Sequence, residues 1–223
     1  MLSDKHALAY CVAAVRETLE EAGVFLARTS RTSVKNLDQV NNLRLTANLD
    51  KDWLVRLVEK EHWRLSISAL SSWSHWITPA QMKHRFDTRF FLAEMPADQN
   101  CRPDARETVH GLWLNPAEAL AANLSGEVSL SPPTLVSLHE LLNYPNLEGL
   151  RIEVAQRSWG QPIQPRLVPL PEGAVIIEPW DPMYQQNEID IDPASLTSSV
   201  LPVGDSFSRI WLDKGIWKPV STA

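Results

Sequence analysis

Apolar residues recur at helical spacing near the start of the chain. Five of them follow one another at intervals of four, three, four and three residues, which places them on one side of a helix: Leu8, Val12, Val15, Leu19 and Ala22. Ser3 or Asp4 can cap the start of this helix, and Gly23 can end it in the left-handed conformation. The pattern predicts an amphipathic first helix that buries this apolar side.

The pattern of apolar and polar residues between residues 24 and 116 predicts a short strand, a loop, a second helix and three further strands. "VFLAR" predicts a short buried strand, and residues 29–49 are polar without a period, which indicates a loop. Asp50 can cap a second helix, "KDWLVRLVEKEHW", whose inward face is Trp53, Leu54, Leu57 and Val58. Extended or alternating patterns then predict three strands, in "LSSWSHWITP", "RFDTRFFLAEM" and "TVHGLWLNP".

Proline and asparagine mark the helices of the second half. Asn115 with Pro116, and later Pro132 with Pro133, are typical of helix starts, and the second of these helices turns Leu135, Leu138 and Leu142 inward. Beyond residue 144 we expect short strands, in "RLVPL", "AVIIEPW" and "SRIWLDKGIWKPV". The last of these is a hairpin that turns at residues 213–215.

Charge and cysteine usage narrow the class of protein. The net charge of −6 gives no basic footprint for DNA or RNA, so we expect no nucleic-acid partner. Cys11 and Cys101 lie far apart and indicate no disulfide framework, which favours a reducing compartment. Because the sequence also contains no apolar run of bilayer length and no signal peptide, we expect a cytoplasmic protein without a membrane partner.

Three glutamates lie close together near the end of the first helix. Glu17, Glu20 and Glu21 fall on the side opposite the apolar stripe, where residues three and four apart stack on one face. Like charges on one face repel one another. The residues alone therefore allow either a solvated face or a site that holds a cation.

The segment "RETLEEAGV", residues 16–24, resembles the second half of the Nudix box of the Nudix hydrolases. Thr18 stands where an aliphatic residue is usual. Four further segments are similar to the coenzyme A diphosphatase branch of that family: "SHWITP", "HRFDTRFFLA", "LWLNPAEAL" and "LSPPTL". On these residues the chain is identified as a member of that branch.

The resemblance implies an α+β fold, a Nudix α/β/α sandwich with a mixed sheet. We expect a Nudix domain over residues 1–144, with a helical insertion at about 30–70, and a C-terminal extension of short strands over 145–223. Leu8 stands where the first glutamate of the box would fall, and the glycine-rich loop that precedes the box is absent. We therefore expect a domain that lacks its N-terminal part.

The resemblance also implies a metal-dependent hydrolase of a small-molecule nucleoside diphosphate derivative, with coenzyme A or an acyl-CoA as the family-level substrate. Glu17, Glu20 and Glu21 would bind Mg²⁺ or Mn²⁺, Arg16 would orient Glu17, and Glu107 is the candidate base. The alternative function is a truncated Nudix-like binding protein without catalysis, and a homodimer stays open.

Substrate contacts are expected from three further residues. Trp76 could stack on adenine, with core packing as its alternative role. Arg85 or Arg89 could contact the substrate, although Asp87 and Arg89 could instead pair with each other on a strand face.

Overall fold

The computed structural model describes residues 4–28, 37–46, 50–105 and 111–222. These residues belong to two compact units, one of residues 1–71 and 91–113, the other of residues 72–90 and 114–223. Both units combine helices with strands, so the expected α+β class is confirmed. The predicted domain boundary at residues 144 and 145 stays a prediction.

The first unit is built mainly from helices. Its elements are α1 (Asp4–Ala22), β1 (Ala27–Arg28), α2 (Leu37–Thr46), α3 (Trp53–Lys60), β2 (Arg64–Leu65) and a short 3₁₀ turn (Ile67–Ala69). The two strands pair antiparallel, Ala27 opposite Leu65. Their core joins Val15 and Leu19 of α1 to the aromatic side chains of Phe25, Trp53 and Trp63.

Helix α1 begins and ends where its pattern predicts, but only part of its stripe is buried. Val15 and Leu19 are fully buried, whereas Leu8 and Val12 are exposed. The prediction of one continuous buried stripe is therefore wrong for the first two turns. A spacing shows that residues share a face, but the length of that face that is covered depends on the neighbouring elements.

Residues 37–46 form the helix α2, so the prediction of a loop is wrong there. The helix is mostly polar and has only one apolar residue, Val40, among its buried positions. Asn41 and Arg44 are buried beside it, and both make hydrogen bonds to other elements. Tertiary contacts of polar groups, which leave no apolar period in the sequence, hold this helix in place.

The second unit contains most of the strands. Its elements are β3 (Ser71–Ile77) and β4 (Asp87–Leu92), most of whose residues lie here, then α4 (Pro116–Ser125), α5 (Pro132–Leu141), α6 (Leu147–Gln156), β5 (Arg166–Pro169), β6 (Ala174–Ile177), α7 (Pro193–Leu196), β7 (Arg209–Asp213) and β8 (Ile216–Val220). Strands β3 and β4 pair with each other, and β5 to β8 form an antiparallel sheet in chain order. One isolated parallel bridge joins Trp76 to Ile163.

Two local signals in this unit are confirmed by the structure. Asn115 caps α4 in a reciprocal capping box with Glu118, and Pro116 is its first residue. Strands β7 and β8 form the predicted hairpin, with Lys214 and Gly215 at positive φ in the turn. The strand-rich C-terminal segment is confirmed.

Two predictions in this half differ from the structure. Helix α6 was not predicted, because none of its residues is buried and it carries no clear apolar stripe. Residues 111–115 of "TVHGLWLNP" are not a strand, and they expose the side chains of Leu112 and Trp113. The first residues of that segment lie outside the described ranges. None of the helices in the described ranges combines the length and the apolar character that a bilayer span requires.

Candidate active site

The last turn of α1 is closed by donors from distant parts of the first unit. An α-helix leaves its final carbonyl oxygens without a partner inside the helix. Here three of these oxygens accept hydrogen bonds: Glu20 O from Arg44 Nη1 (2.7 Å), Glu21 O from Asp104 N (3.0 Å) and Ala22 O from Arg102 N (2.7 Å). The end of the helix that carries the glutamates is thereby fixed at successive residues.

Gly23 makes this closure sterically feasible. Its φ of +70° is the left-handed conformation that ends a helix. A β-carbon at this position would lie 2.7 Å from Asn41 Oδ1 and 2.8 Å from Arg44 Nη2. Asn41 Nδ2 also donates to Gly23 O at 3.3 Å. Glycine is thus required here both by the backbone conformation and by the close approach of α2.

Arg44 is a buried cation at the negative end of a helix dipole. Arg44 is only 4% exposed. Its Nε donates to Asn41 Oδ1 at 3.2 Å, and its two terminal nitrogens donate to the carbonyl oxygens of Glu20 and Arg102. Burial, together with the nearby charge of Arg102, lowers the pKa of the guanidinium from its ordinary value, and Asp104 opposes this. Because α1 has no basic residue in its own last turn, Arg44 supplies the positive charge that this end favours.

The carboxylates of Glu17 and Glu20 lie near one guanidinium. Arg16 donates to Glu17 Oε1, and its Nε lies 4.0 Å from Glu20 Oε2. The other oxygen of Glu20 accepts a 2.9 Å hydrogen bond from the indole nitrogen of Trp53. These acidic side chains are half-buried, with 47% of Glu17 and 30% of Glu20 exposed.

The chemistry of this donor set fits a hard divalent cation. Mg²⁺ and Mn²⁺ prefer carboxylate oxygens, and Glu17, Glu20 and Glu21 supply them from two adjacent turns. Within the described ranges, however, no group of three or more His, Cys, Asp or Glu side chains lies close enough together to hold a metal ion. The donors are present and partly exposed, and in this structure the cation beside two of them is Arg16.

The predicted substrate contacts lie in the second unit. Trp76 is buried in the core there, and its indole nitrogen donates to Ser74 Oγ at 2.9 Å, so its ring offers no free face to a ligand in this structure. Arg85 is exposed and donates to Thr78 O at 3.1 Å. Arg89 pairs with Asp87, and its guanidinium lies 5.8 Å from the ring centroid of Trp159.

His75 is also close to that pair. Its Nε2 lies 2.9 Å from Asp87 Oδ1, and burial, followed by the charge of Arg89, lowers the pKa of the imidazole. The roles of Arg85 and Arg89 in substrate binding stay predictions. Glu107, the candidate base, lies outside the described residues.

Sequence reasoning missed the residues that support the acidic helix end. Arg44 and Asn41 lie in the segment that was interpreted as a loop, and Trp53 was identified only as a core residue. No signal in the local pattern could have linked them to α1, because Arg44 and Trp53 are 24 and 33 residues from Glu20.

The fold and the acidic helix end have counterparts among known proteins. The fold is similar to the crystal structure of a NUDIX hydrolase from Alicyclobacillus acidocaldarius, with a TM-score of 0.58 and 27% identity over 72% of this chain and 71% of the other. The acidic helix end and this neighbour together define a protein of the Nudix hydrolase class.

The family model described as the NUDT19 Nudix domain matches residues 3–141, and the chain belongs to that family. It is 30% identical to the human acyl-coenzyme A diphosphatase NUDT19 over 91% of its length, and 25% identical to the Xenopus laevis protein of the same name over 79%. The chain spans 59% and 51% of the lengths of these two relatives.

Proposed function

We propose that this protein is a metal-dependent Nudix hydrolase that cleaves the diphosphate linkage of a nucleoside diphosphate derivative, with coenzyme A or an acyl-CoA as the substrate. The observation that carries the proposal is the set of half-buried glutamates, two of them beside Arg16, at a helix end within a match to the NUDT19 Nudix domain. The names of the two relatives support the substrate class.

The reaction needs a site that offsets the negative charge of a diphosphate and directs water at phosphorus. Glu17, Glu20 and Glu21 would hold Mg²⁺ or Mn²⁺, which when bound would neutralise phosphate charge and make water more acidic. Arg16 would keep the carboxylate of Glu17 oriented through the hydrogen bond seen here. Trp53 would hold one oxygen of Glu20, while the other lies 4.0 Å from Arg16 Nε.

Hydrolysis of a substrate panel tests this proposal. Purified protein is incubated with Mg²⁺ or Mn²⁺ and with coenzyme A, an acyl-CoA, NADH, ADP-ribose and diadenosine compounds, and phosphorylated products are separated. We expect turnover of the coenzyme A compounds. Glu20→Gln and Glu21→Gln should lower the rate by more than the roughly 10- to 100-fold that changes outside a ligand set typically cost.

Glu59→Gln is the matched control for these variants. Glu59 is an exposed glutamate on the neighbouring helix α3 and takes no part in the proposed site. Its substitution should leave the rate unchanged. Turnover that survives both site substitutions, or a folded protein without turnover on any compound, would contradict the proposed activity.

One observation favours the second candidate, a Nudix-like binding protein without catalysis. The three glutamates do not form a three-ligand group within the described ranges. This candidate predicts ligand binding without product formation at any concentration of Mg²⁺ or Mn²⁺. Metal-dependent release of phosphorylated products by the wild type, lost in Glu21→Gln, would exclude it.

A further inference from the structure

Glu20 is held at two places by helices of the inserted segment. Arg44 of α2 donates to its main-chain oxygen at 2.7 Å, and Trp53 of α3 donates to its carboxylate Oε1 at 2.9 Å. Both donors are buried, with 4% and 5% of their residues exposed. One residue of the proposed site is therefore fixed in both backbone and side chain by the same inserted segment.

The contact of Trp53 orients the carboxylate. An indole has a single N–H donor and accepts nothing, so the donor and acceptor roles in this hydrogen bond are unambiguous. The ring itself packs in the core beside Val15 and Leu19, which leaves the N–H little freedom. With Oε1 held in this way, Oε2 is the oxygen on the side of Arg16, 4.0 Å from its Nε.

The hydrogen bond from Arg44 fixes the backbone of Glu20. Its guanidinium binds the carbonyl oxygen of Glu20 and, through another nitrogen, that of Arg102, whose own N–H donates to Ala22 O. Movement of α2 would therefore release the hydrogen bond to Glu20 O and the support of the Arg102 backbone, whose N–H binds Ala22 O.

We infer that Trp53 and Arg44 are positioning residues for the ligand Glu20, so that helices α2 and α3 are a working part of the hydrolytic site. The inference rests on the proposed function of that site. Groups that orient a metal ligand through hydrogen bonds change metal affinity by about 10- to 100-fold when they are removed. Both residues are buried, and in this role they would act on the site only through Glu20.

Binding of Mn²⁺ to the Trp53→Phe variant, followed by isothermal titration calorimetry, tests the inference without any substrate. The substitution keeps an aromatic ring in the core and removes the N–H donor. We expect Mn²⁺ to bind about 10-fold more weakly than to the wild type. In hydrolysis assays the Mn²⁺ concentration needed for half-maximal rate should rise equally, while the rate at saturating Mn²⁺ recovers.

Trp63→Phe is the matched control. Trp63 lies in the same core cluster and packs edge-on against Phe25, with ring centroids 5.5 Å apart. The Trp63→Phe variant should lose about as much stability as Trp53→Phe and should keep the wild-type affinity for Mn²⁺. If both tryptophan variants weaken Mn²⁺ binding equally, or if neither does, the positioning role is overturned.

Arg44→Lys tests the second contact. Lysine keeps the charge but cannot donate to two carbonyl oxygens from a planar fork, so Mn²⁺ affinity should fall in the same direction. Urea unfolding of each variant establishes that the folded protein is titrated. Wild-type affinity in a folded Arg44→Lys protein overturns the role of Arg44.

The failure of this inference and that of the proposed function give different results. If the wild type binds Mn²⁺ and Glu20→Gln abolishes that binding, while Trp53→Phe binds as the wild type does, only the positioning role is lost. If wild-type Mn²⁺ binding is absent or unaffected by Glu20→Gln, the proposed metal site itself is overturned.

Discussion

Carboxyl groups occupy contrasting environments in the two units of this protein. At the end of α1 in the first unit, Glu17 and Glu20 are half-buried beside the guanidinium of Arg16. After strand β6 in the second unit, Glu178 and Asp181 are buried, and neither is open to a ligand. A binding role needs charged groups that are accessible, and only the first region has them.

The two buried carboxyls differ from each other as well. Burial by itself would raise the pKa of Asp181, but hydrogen bonds from Arg209, Ser208 and the N–H of Met183 hold it below its ordinary value. Glu178 has no hydrogen-bond partner for either oxygen among the described residues, and burial raises its pKa to about 8. Whether a buried carboxyl is ionised therefore depends on its hydrogen-bond partners as well as on its burial.

The accessibility of its carboxylates sets the end of α1 apart. Asp181 is neutralised by a dedicated arginine, and Glu178 avoids the cost of buried charge by holding its proton near neutral pH. The carboxylates of α1 instead share one half-exposed arginine, Arg16, and remain open to solvent. These carboxylates are accessible from solvent, which the buried pair in the second unit is not.

Removal of the cation beside Asp181 should have the largest effect. Arg209→Met leaves a buried carboxylate without its charge partner, which typically costs about 3–5 kcal/mol of unfolding free energy. Urea denaturation at pH 7 measures this loss. Arg56→Met is the control, since Arg56 and Asp50 form an exposed pair, and it should not change the midpoint measurably. A small effect of Arg209→Met would show that Asp181 tolerates burial without its partner.

Glu178→Gln should change the pH dependence of stability. Because the pKa of Glu178 is about 8 in the folded protein and near 4.5 when it is unfolded, the unfolded chain releases this proton first as pH rises. The unfolded state then binds fewer protons, so wild-type stability falls with pH between these values, by about 1.4 kcal/mol per pH unit. The glutamine variant lacks this slope and should be the more stable protein at pH 8.

The measurement compares urea midpoints at pH 5, 6, 7 and 8. Glu172→Gln, which replaces an exposed glutamate before strand β6, is the matched control. Profiles of wild type and Glu178→Gln that run parallel across this range would show that Glu178 is already ionised in the folded protein.

A smaller effect should distinguish the closely packed glycine from an open one. Gly126, which ends α4, has φ +84° and nothing within 4 Å of an added β-carbon, so Gly126→Ala should cost only the backbone strain of about 1–2 kcal/mol. Gly23→Ala has similar strain and also displaces Asn41 and Arg44. We expect it to cost about 1–3 kcal/mol more, since it unpairs buried polar groups.

Differential scanning calorimetry of both alanine variants measures this difference in stability. Titration of Gly23→Ala with Mn²⁺ tests whether the change also affects the proposed metal site. The variant should bind Mn²⁺ more weakly, because the last turn of α1 loses its contacts with α2. Equal stability losses in the two variants would show that Asn41 and Arg44 move aside without cost.

Much of the local structure could be predicted from the residues. The ends of α1, the capping box of α4 and the hairpin between β7 and β8 depend on groups within a few positions of one another. The acidic cluster and its resemblance to the Nudix box are equally local, since residues 16–24 contain them. For the same reason the sequence alone predicts Glu17, Glu20 and Glu21 as candidate site residues.

Tertiary structure decided the features that local patterns do not contain. Helix α2 is held by the hydrogen bonds of Asn41 to Gly23 and of Arg44 to Glu20, and the exposure of Leu8 and Val12 depends on what packs beside them. The donors to Glu20 come from residues 24 and 33 positions away. Sequence periodicity shows which side chains share a face of a helix. The partner of a buried polar group depends on the tertiary fold, because residues far apart in sequence come together only there.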